Sequence, residues 1–144
     1  MKRIFPTPQD AEAAFYDALE KNDLTAMMEV WAEDEEIVCV HPGSPRLVGY
    51  DQVRESWARI FASGQKLSVR LTNTIHVGSG MVAVHSVHEN LAVASDRAAG
   101  TAVATNVYLR AADGWRIVAH HASPAEVPAP ARQPTTTDNP KTLH

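Results

Sequence analysis

Asp113-Gly114-Trp115-Arg116-Ile117-Val118-Ala119-His120-His121-Ala122-Ser123-Pro124 is the stretch that decides how this chain folds. An Asp-Gly turn launches an apolar run, paired histidines close it, and a proline stops it. Three further β-rich runs stand before it, Leu67 to Val77, Met81 to Leu91 and Thr101 to Arg110. Turn residues separate the runs at Gly78-Ser79-Gly80, Ser95 to Gly100 and Ala112-Asp113-Gly114. Connections this short predict antiparallel neighbours.

Outward from the strands, the first third of the chain reads as helical. Thr7 can cap, Pro8 suits the first helical position and Asp10 favours the positive helix end. Ala11, Ala14, Phe15, Ala18 and Leu19 then recur at helical spacing to about Lys21. Asn22-Asp23 interrupts, and Asp23 caps a second helix whose apolar surface is Met27, Met28, Val30 and Trp31. Glu36 to His41 is β-branched and ends at Pro42-Gly43, which predicts a strand. A loop through Ser44, Pro45 and Arg46 leads to Asp51, the expected cap of a third helix. Val53, Trp57, Ile60 and Phe61 form one stripe on it, and Gly64 ends it. The expected fold class is α+β. About three N-terminal and central helices pack on the concave face of a cone-shaped, strongly curved, mostly antiparallel sheet.

Composition narrows the partners. The chain has 144 residues, enough for one domain with a real core. A formal charge of -4 leaves no basic footprint, so no nucleic-acid partner is expected. No apolar run approaches the roughly 20 residues of a membrane span, and the N-terminus lacks a signal core. One cysteine, Cys39, cannot form an internal disulfide, which suits a cytoplasmic location. The domain is expected over residues 1–123, with 124–144 a Pro/Thr-rich flexible tail. Both faces of the long strands carry apolar residues, yet helices cover only one. A homodimer through the outer face of the sheet would bury the other.

The order of elements resembles the nuclear transport factor 2-like superfamily, which includes ketosteroid isomerases and SnoaL-like polyketide cyclases. The resemblance spans roughly residues 8 to 123. It rests on Leu24 through Trp31, Val40-His41-Pro42-Gly43, Leu47-Val48-Gly49, Ser56-Trp57, Gly114 to Val118 and His121-Ala122-Ser123. The β-rich half is also similar to the association domain of calcium/calmodulin-dependent protein kinases, through Asn73 to Val77, Thr105 to Tyr108 and Trp115 to Ser123. That family carries pocket arginines on three strands; the matching positions here are His88, Asn106 and Ala122, so anion binding of that kind is not implied.

The correspondence suggests inward strand faces, and strand parity extends it. With His88 and Asn106 inward, Val84, Ser86, Asn90, Ala104 and Tyr108 follow. On the last strand Val118, His120 and Ala122 join them, leaving His121 outside. A bulge before Ser123 would exchange the two histidines, so both stay candidates. His41 shares a face with Cys39 and stands at a strand end, near a pocket rim. The candidate catalytic residues are therefore His120, His88 and His121, one of them a neutral general base. The candidate ligand-binding residues are His41, Trp57, Asn106, Tyr108 and Trp31, and the expected ligand is a small hydrophobic molecule with one or two polar groups. The same histidines could instead satisfy buried backbone groups, and the tryptophans could be core. Glu89, the one carboxylate inside a strand, is expected outward, which argues against the carboxylate-based ketosteroid isomerase route. His85 and His88, like His120 and His121, fall on opposite faces, so no metal and no cofactor is expected. An isomerase, cyclase or lyase, a binding module and an oligomeric assembly domain all fit these residues.

Overall fold

Thr7 accepts a hydrogen bond from the Asp10 amide and opens helix α1 (Pro8–Lys21), as the first-turn chemistry predicts. Asn22 closes it in the left-handed conformation (φ 54°), and Asp23 caps α2 (Leu24–Val30) through the Ala26 amide. Trp31 lies just past α2 in extended backbone, bridged to Ile117, rather than on the helix. The third helix, α3 (Tyr50–Ala62), starts two residues earlier than expected. Gly49, at φ 93°, is its cap, and Asp51 sits in its first turn. This computed structural model describes residues 2–93 and 99–125. The tail beyond 125 and the tip of the turn at 94–98 lie outside the described residues.

Six strands form one curved, unclosed sheet: β1 (Val38–Val40), β2 (Leu47–Val48), β3 (Leu67–Gly78), β4 (Val82–Val93), β5 (Ala99–Ala111) and β6 (Gly114–Pro124). Their order is β2-β1-β6-β5-β4-β3. All neighbours are antiparallel except β1 and β6, which run parallel with Cys39 beside His120. The sequence carries no signal for the short β2, because two residues have no alternation to detect. The β5–β6 hairpin turns at Asp113-Gly114. Gly114 has φ 108°, and a Cβ there would stand 2.9 Å from the Phe5 backbone nitrogen. Its lack of a side chain lets the N-terminal segment dock, with the Trp115 amide donating to the Phe5 carbonyl.

Two bulges set which side chains face the helices. The β3–β4 register slips between Thr72 and Ile75, with Asn73 left-handed at φ 52°. The β5–β6 register slips where Val107 pairs Ala119 and Tyr108 pairs Ile117, leaving Val118 unpaired. Each extra residue exchanges the faces beyond it. Ile117, His120 and Ala122 are consequently buried while Val118 is only partly so, and His121 is exposed.

Strand β4 corrects the sequence reading. Its buried residues are Ala83, His85, Val87 and Glu89, whereas Val84, Ser86, His88 and Asn90 form the outer row. His85, not His88, stands opposite Asn106. On β5 the expectation holds: Ala104, Asn106 and Tyr108 are fully buried. The bulge at Asn73 is the testable element of this frame. Asn73→Val should cost about 1–2 kcal/mol in urea denaturation, because a β-branched residue resists the left-handed region. Asn73→Gly should stay within a few tenths of a kcal/mol of the parent; equal losses in both would show that the bulge is not held by backbone preference.

Candidate functional site

Helix α1 lays Phe15, Tyr16 and their small neighbours onto the inner face of the sheet, where the polar residues of β4, β5 and β6 wait. The Tyr16 hydroxyl donates to the Glu89 carboxyl at 2.6 Å. Asn106 Nδ2 donates to the same hydroxyl at 2.9 Å. With its amide nitrogen so engaged, Asn106 must accept through Oδ1, which lies 2.5 Å from His120 Nδ1. The network therefore assigns the proton to Nδ1 and leaves Nε2 of His120 as an acceptor. Every donor along this line points towards Glu89.

Burial tunes both ends. Desolvation raises Glu89 above the usual carboxylate range, and the Tyr16 hydrogen bond works against that rise. Desolvation, helped by His41 and His121, lowers His120 to about 3. The imidazole is thus neutral at physiological pH. Tyr16 is raised by burial and by the Glu89 charge, so its hydroxyl stays a donor.

Around His120 the wall is aromatic. Phe15 and Trp57 pack against its ring with centroids at 5.0 and 6.3 Å. Trp57 in turn meets His41 edge-on at 4.7 Å. His41 Nε2 lies 3.0 Å from Ser56 Oγ, which itself donates to the Val53 carbonyl. That leaves His41 to supply the proton, so it is neutral with Nε2–H, in keeping with the lowering of its pKa by burial. Cys39 lies 3.7 Å from the same nitrogen, and burial pushes its thiol up to about 12, away from any thiolate chemistry. Trp31 Nε1, Trp57 Nε1 and Tyr108 Oη are buried without a hydrogen-bond partner. Asn106 is close enough to Tyr108 to affect its titration, but the hydroxyl lacks bonding geometry to it.

The structure gathers four of the sequence-derived candidates, His120, Asn106, Trp57 and His41, around one centre. Trp31 and Tyr108 are buried nearby on the same inner face. His88 and His121 stand on the outer face. Three site residues were not foreseen. Strand parity with His88 inward points Glu89 outward, the reverse of its buried place here. Tyr16 stands beside Phe15, and its place four residues after Glu12, on the same helix face, is the signal that could have found it. Ser56 has no sequence signal of its own. The interior is also fuller than expected, because Phe15 and Trp57 occupy the space above His120. A cleft of about 730 Å³ lies elsewhere, between the acidic turn Glu33-Asp34-Glu35 and the start of α3, and holds none of the histidines. For a metal, the group that converges is Glu12, His76 and His85 on α1, β3 and β4, beside the His120 line, since His85 is the cross-strand neighbour of Asn106.

Residues 9–128 match the SnoaL-like domain family. The chain belongs to that family. Its nuclear transport factor 2-like fold agrees with solved structures. A candidate calcium/calmodulin-dependent protein kinase type II association domain from Thiobacillus denitrificans is 39% identical, with TM-score 0.78, covering 87% of this chain and 100% of its own. A candidate dehydratase of the nuclear transport factor 2-like family from Streptomyces avermitilis is 33% identical, with TM-score 0.75 over 81% of this chain and 92% of its own. A nuclear transport factor 2-like protein from Pseudomonas putida, 16% identical with TM-score 0.73, covers 92% of this chain and 93% of its own, and shares the fold. No curated protein matches the chain. Among the described residues of this SnoaL-like protein, no helix is long and apolar enough to cross a membrane.

Two outcomes test the buried line. Tyr16→Phe leaves the Glu89 carboxyl without its partner and should cost about 1–3 kcal/mol in urea denaturation. Glu89→Gln, which keeps an acceptor for Tyr16, should cost less. The second outcome concerns pH. His120 is neutral when folded and takes up a proton near its ordinary pKa when unfolded, so it favours unfolding increasingly as pH falls below about 6.5. His120→Asn, whose amide can replace Nδ1, should therefore lose less thermal stability between pH 7 and pH 5 than the parent. Glu89 acts in the opposite direction but is common to both proteins. Parallel pH profiles would show that His120 is not a buried neutral imidazole.

Proposed function

We propose that this SnoaL-like protein handles a small, mostly apolar molecule, and that His120 Nε2 is the general base in a proton transfer of isomerase, cyclase or lyase type. The observation that carries the reading is the oriented line from His120 through Asn106 and Tyr16 to Glu89. It holds the imidazole in one tautomer, with the basic nitrogen free of the network. A general base needs to be neutral with a fixed lone pair, and the line supplies both; the burial that lowers His120 to about 3 reduces its basicity until a polar substrate enters. Trp57 Nε1, a buried donor without a partner beside His120, is the group to receive the substrate oxygen on which charge develops. Half-buried His41 is the rim, and the Trp57 ring between His41 and His120 is what a ligand must stack on or displace.

The candidate dehydratase among the relatives is compatible with such proton chemistry. The reading is tested without knowing the substrate. Small cyclic ketones, enones and hydroxy ketones are screened by thermal shift, and those that stabilise the protein are incubated with it in heavy water. The parent should exchange acidic C–H protons of a bound ketone, and His120→Asn should bind it without exchange. Binding with no exchange by the parent would make this a binding module, and no stabilisation by any compound would sink both versions.

A second reading concerns assembly. The outer face exposes Ile75, Val77, Met81 and Leu109, and an apolar patch of this kind marks an interaction surface. A 39% identical relative is a candidate association domain. A homodimer through this face would cover it. Sedimentation should show the parent as a dimer and the Ile75→Lys, Val77→Lys double variant as a folded monomer whose melting temperature no longer depends on protein concentration; a monomeric parent would exclude the interface.

A further inference from the structure

The bulge at Asn73 has a chemical consequence at the far end of β3. Past it the faces exchange, so Ile75 and Val77 turn outward and His76 turns inward, directly opposite His85. The first half of α1 sets Glu12 over the pair. The two imidazole rings stack at 3.8 Å with planes 22° apart. His85 Nδ1 lies 3.3 Å from Glu12 Oε2, and His76 Nε2 lies 3.9 Å from Glu12 Oε1. One ligand atom from each residue falls within 4.8 Å of the other two.

Distance alone suggests an ion pair, but the geometry does not complete one. Glu12 Oε2 and His85 Nδ1 are both buried without any hydrogen-bond partner, on residues exposed by 9% and 1%. Two unsatisfied buried polar atoms facing each other are costly, about 1–3 kcal/mol each, and in native structures such atoms point to a missing ion or water. A cation satisfies the carboxylate and both nitrogens together.

We propose that Glu12, His76 and His85 bind one divalent transition metal ion of the zinc class. Imidazole nitrogens with one carboxylate oxygen suit zinc and its first-row neighbours, and disfavour calcium and magnesium, which take oxygen. Metal–ligand bonds of about 2.0–2.1 Å in a tetrahedron give an edge of about 3.4 Å. The Glu12–His85 separation already matches that edge, and His76, the most exposed of the three, closes the remaining gap by a side-chain shift. Three protein ligands leave a fourth position. His76 and His85 also line a surface cleft of about 240 Å³ bordered by Pro8, Gln9, Gly78 and Ser79, from which a water or an anionic ligand oxygen can reach that position. The site adjoins the His120 line, with His85 across the strands from Asn106, but none of its three residues is hydrogen-bonded into that line, and it does not rest on the proton-transfer reading.

The test uses the full, untagged chain, stripped with a chelator and titrated with zinc and with cobalt(II). One equivalent of zinc should bind and raise the melting temperature, and cobalt should develop the intense visible bands of a low-coordinate site. His76→Ala, at a half-exposed position that leaves folding intact, should weaken zinc at least about tenfold. Glu12→Gln should do the same while preserving shape, and His88→Ala and His121→Ala on the outer face should bind like the parent. No stoichiometric binding by the parent overturns the site. So does binding that survives His76→Ala unchanged, which would place the ion on other surface histidines.

Discussion

A carboxyl group that is 4% exposed has to be answered by a donor, and here the answer comes from another layer of the fold. Glu89 lies on β4 and Tyr16 on α1, seventy-three residues apart in the chain. Their hydrogen bond pins the first helix to the middle of the sheet. Asn106 then ties the same hydroxyl to β5, and His120 extends the tie to β6. One polar line crosses three strands and the helix above them. Apolar packing holds layers together without fixing their register; directional bonds between buried groups fix it.

The aromatic residues complete that arrangement from the helical side. Phe15 touches Tyr16, Trp31, Trp57 and His120. Because Phe15 and Tyr16 are adjacent on α1, the residue that anchors the polar line and the residue that seals it move as one. The interior is closely filled, and burial is the leading cause of the lowered pKa of His120 and the raised ones of Glu89 and Tyr16.

Much of this was legible in the chain. Thr7, Asp23 and the Asp113-Gly114 turn mark their elements through local chemistry, and the structure places the boundaries within a few residues of them. The inward face of β5 was readable too, since Asn106 and Tyr108 alternate with exposed Thr105 and half-buried Val107. Strand β4 was not. Both of its rows hold apolar residues, Ala83 and Val87 on one side and Val82 and Val84 on the other, so alternation had no polarity to orient it. The family correspondence at His88 then tipped the choice the wrong way. The bulges at Asn73 and Val118 were hidden for a different reason: one extra residue leaves no compositional trace, yet reverses every side chain beyond it. His76 and Glu12 were lost with them, because their neighbours are set by tertiary register.

The sheet order puts the last strand in the interior. β6 lies between β5 and β1, and its parallel ladder with β1 joins residues some eighty positions apart. A nascent chain that has emerged only as far as the β5–β6 turn therefore possesses two raw strand edges and no means to close either. The three helices can form early, but the layer they roof stays split until the final dozen residues of the sheet arrive. The sheet is completed only when that long loop closes, and closure of so long a loop is costly in entropy.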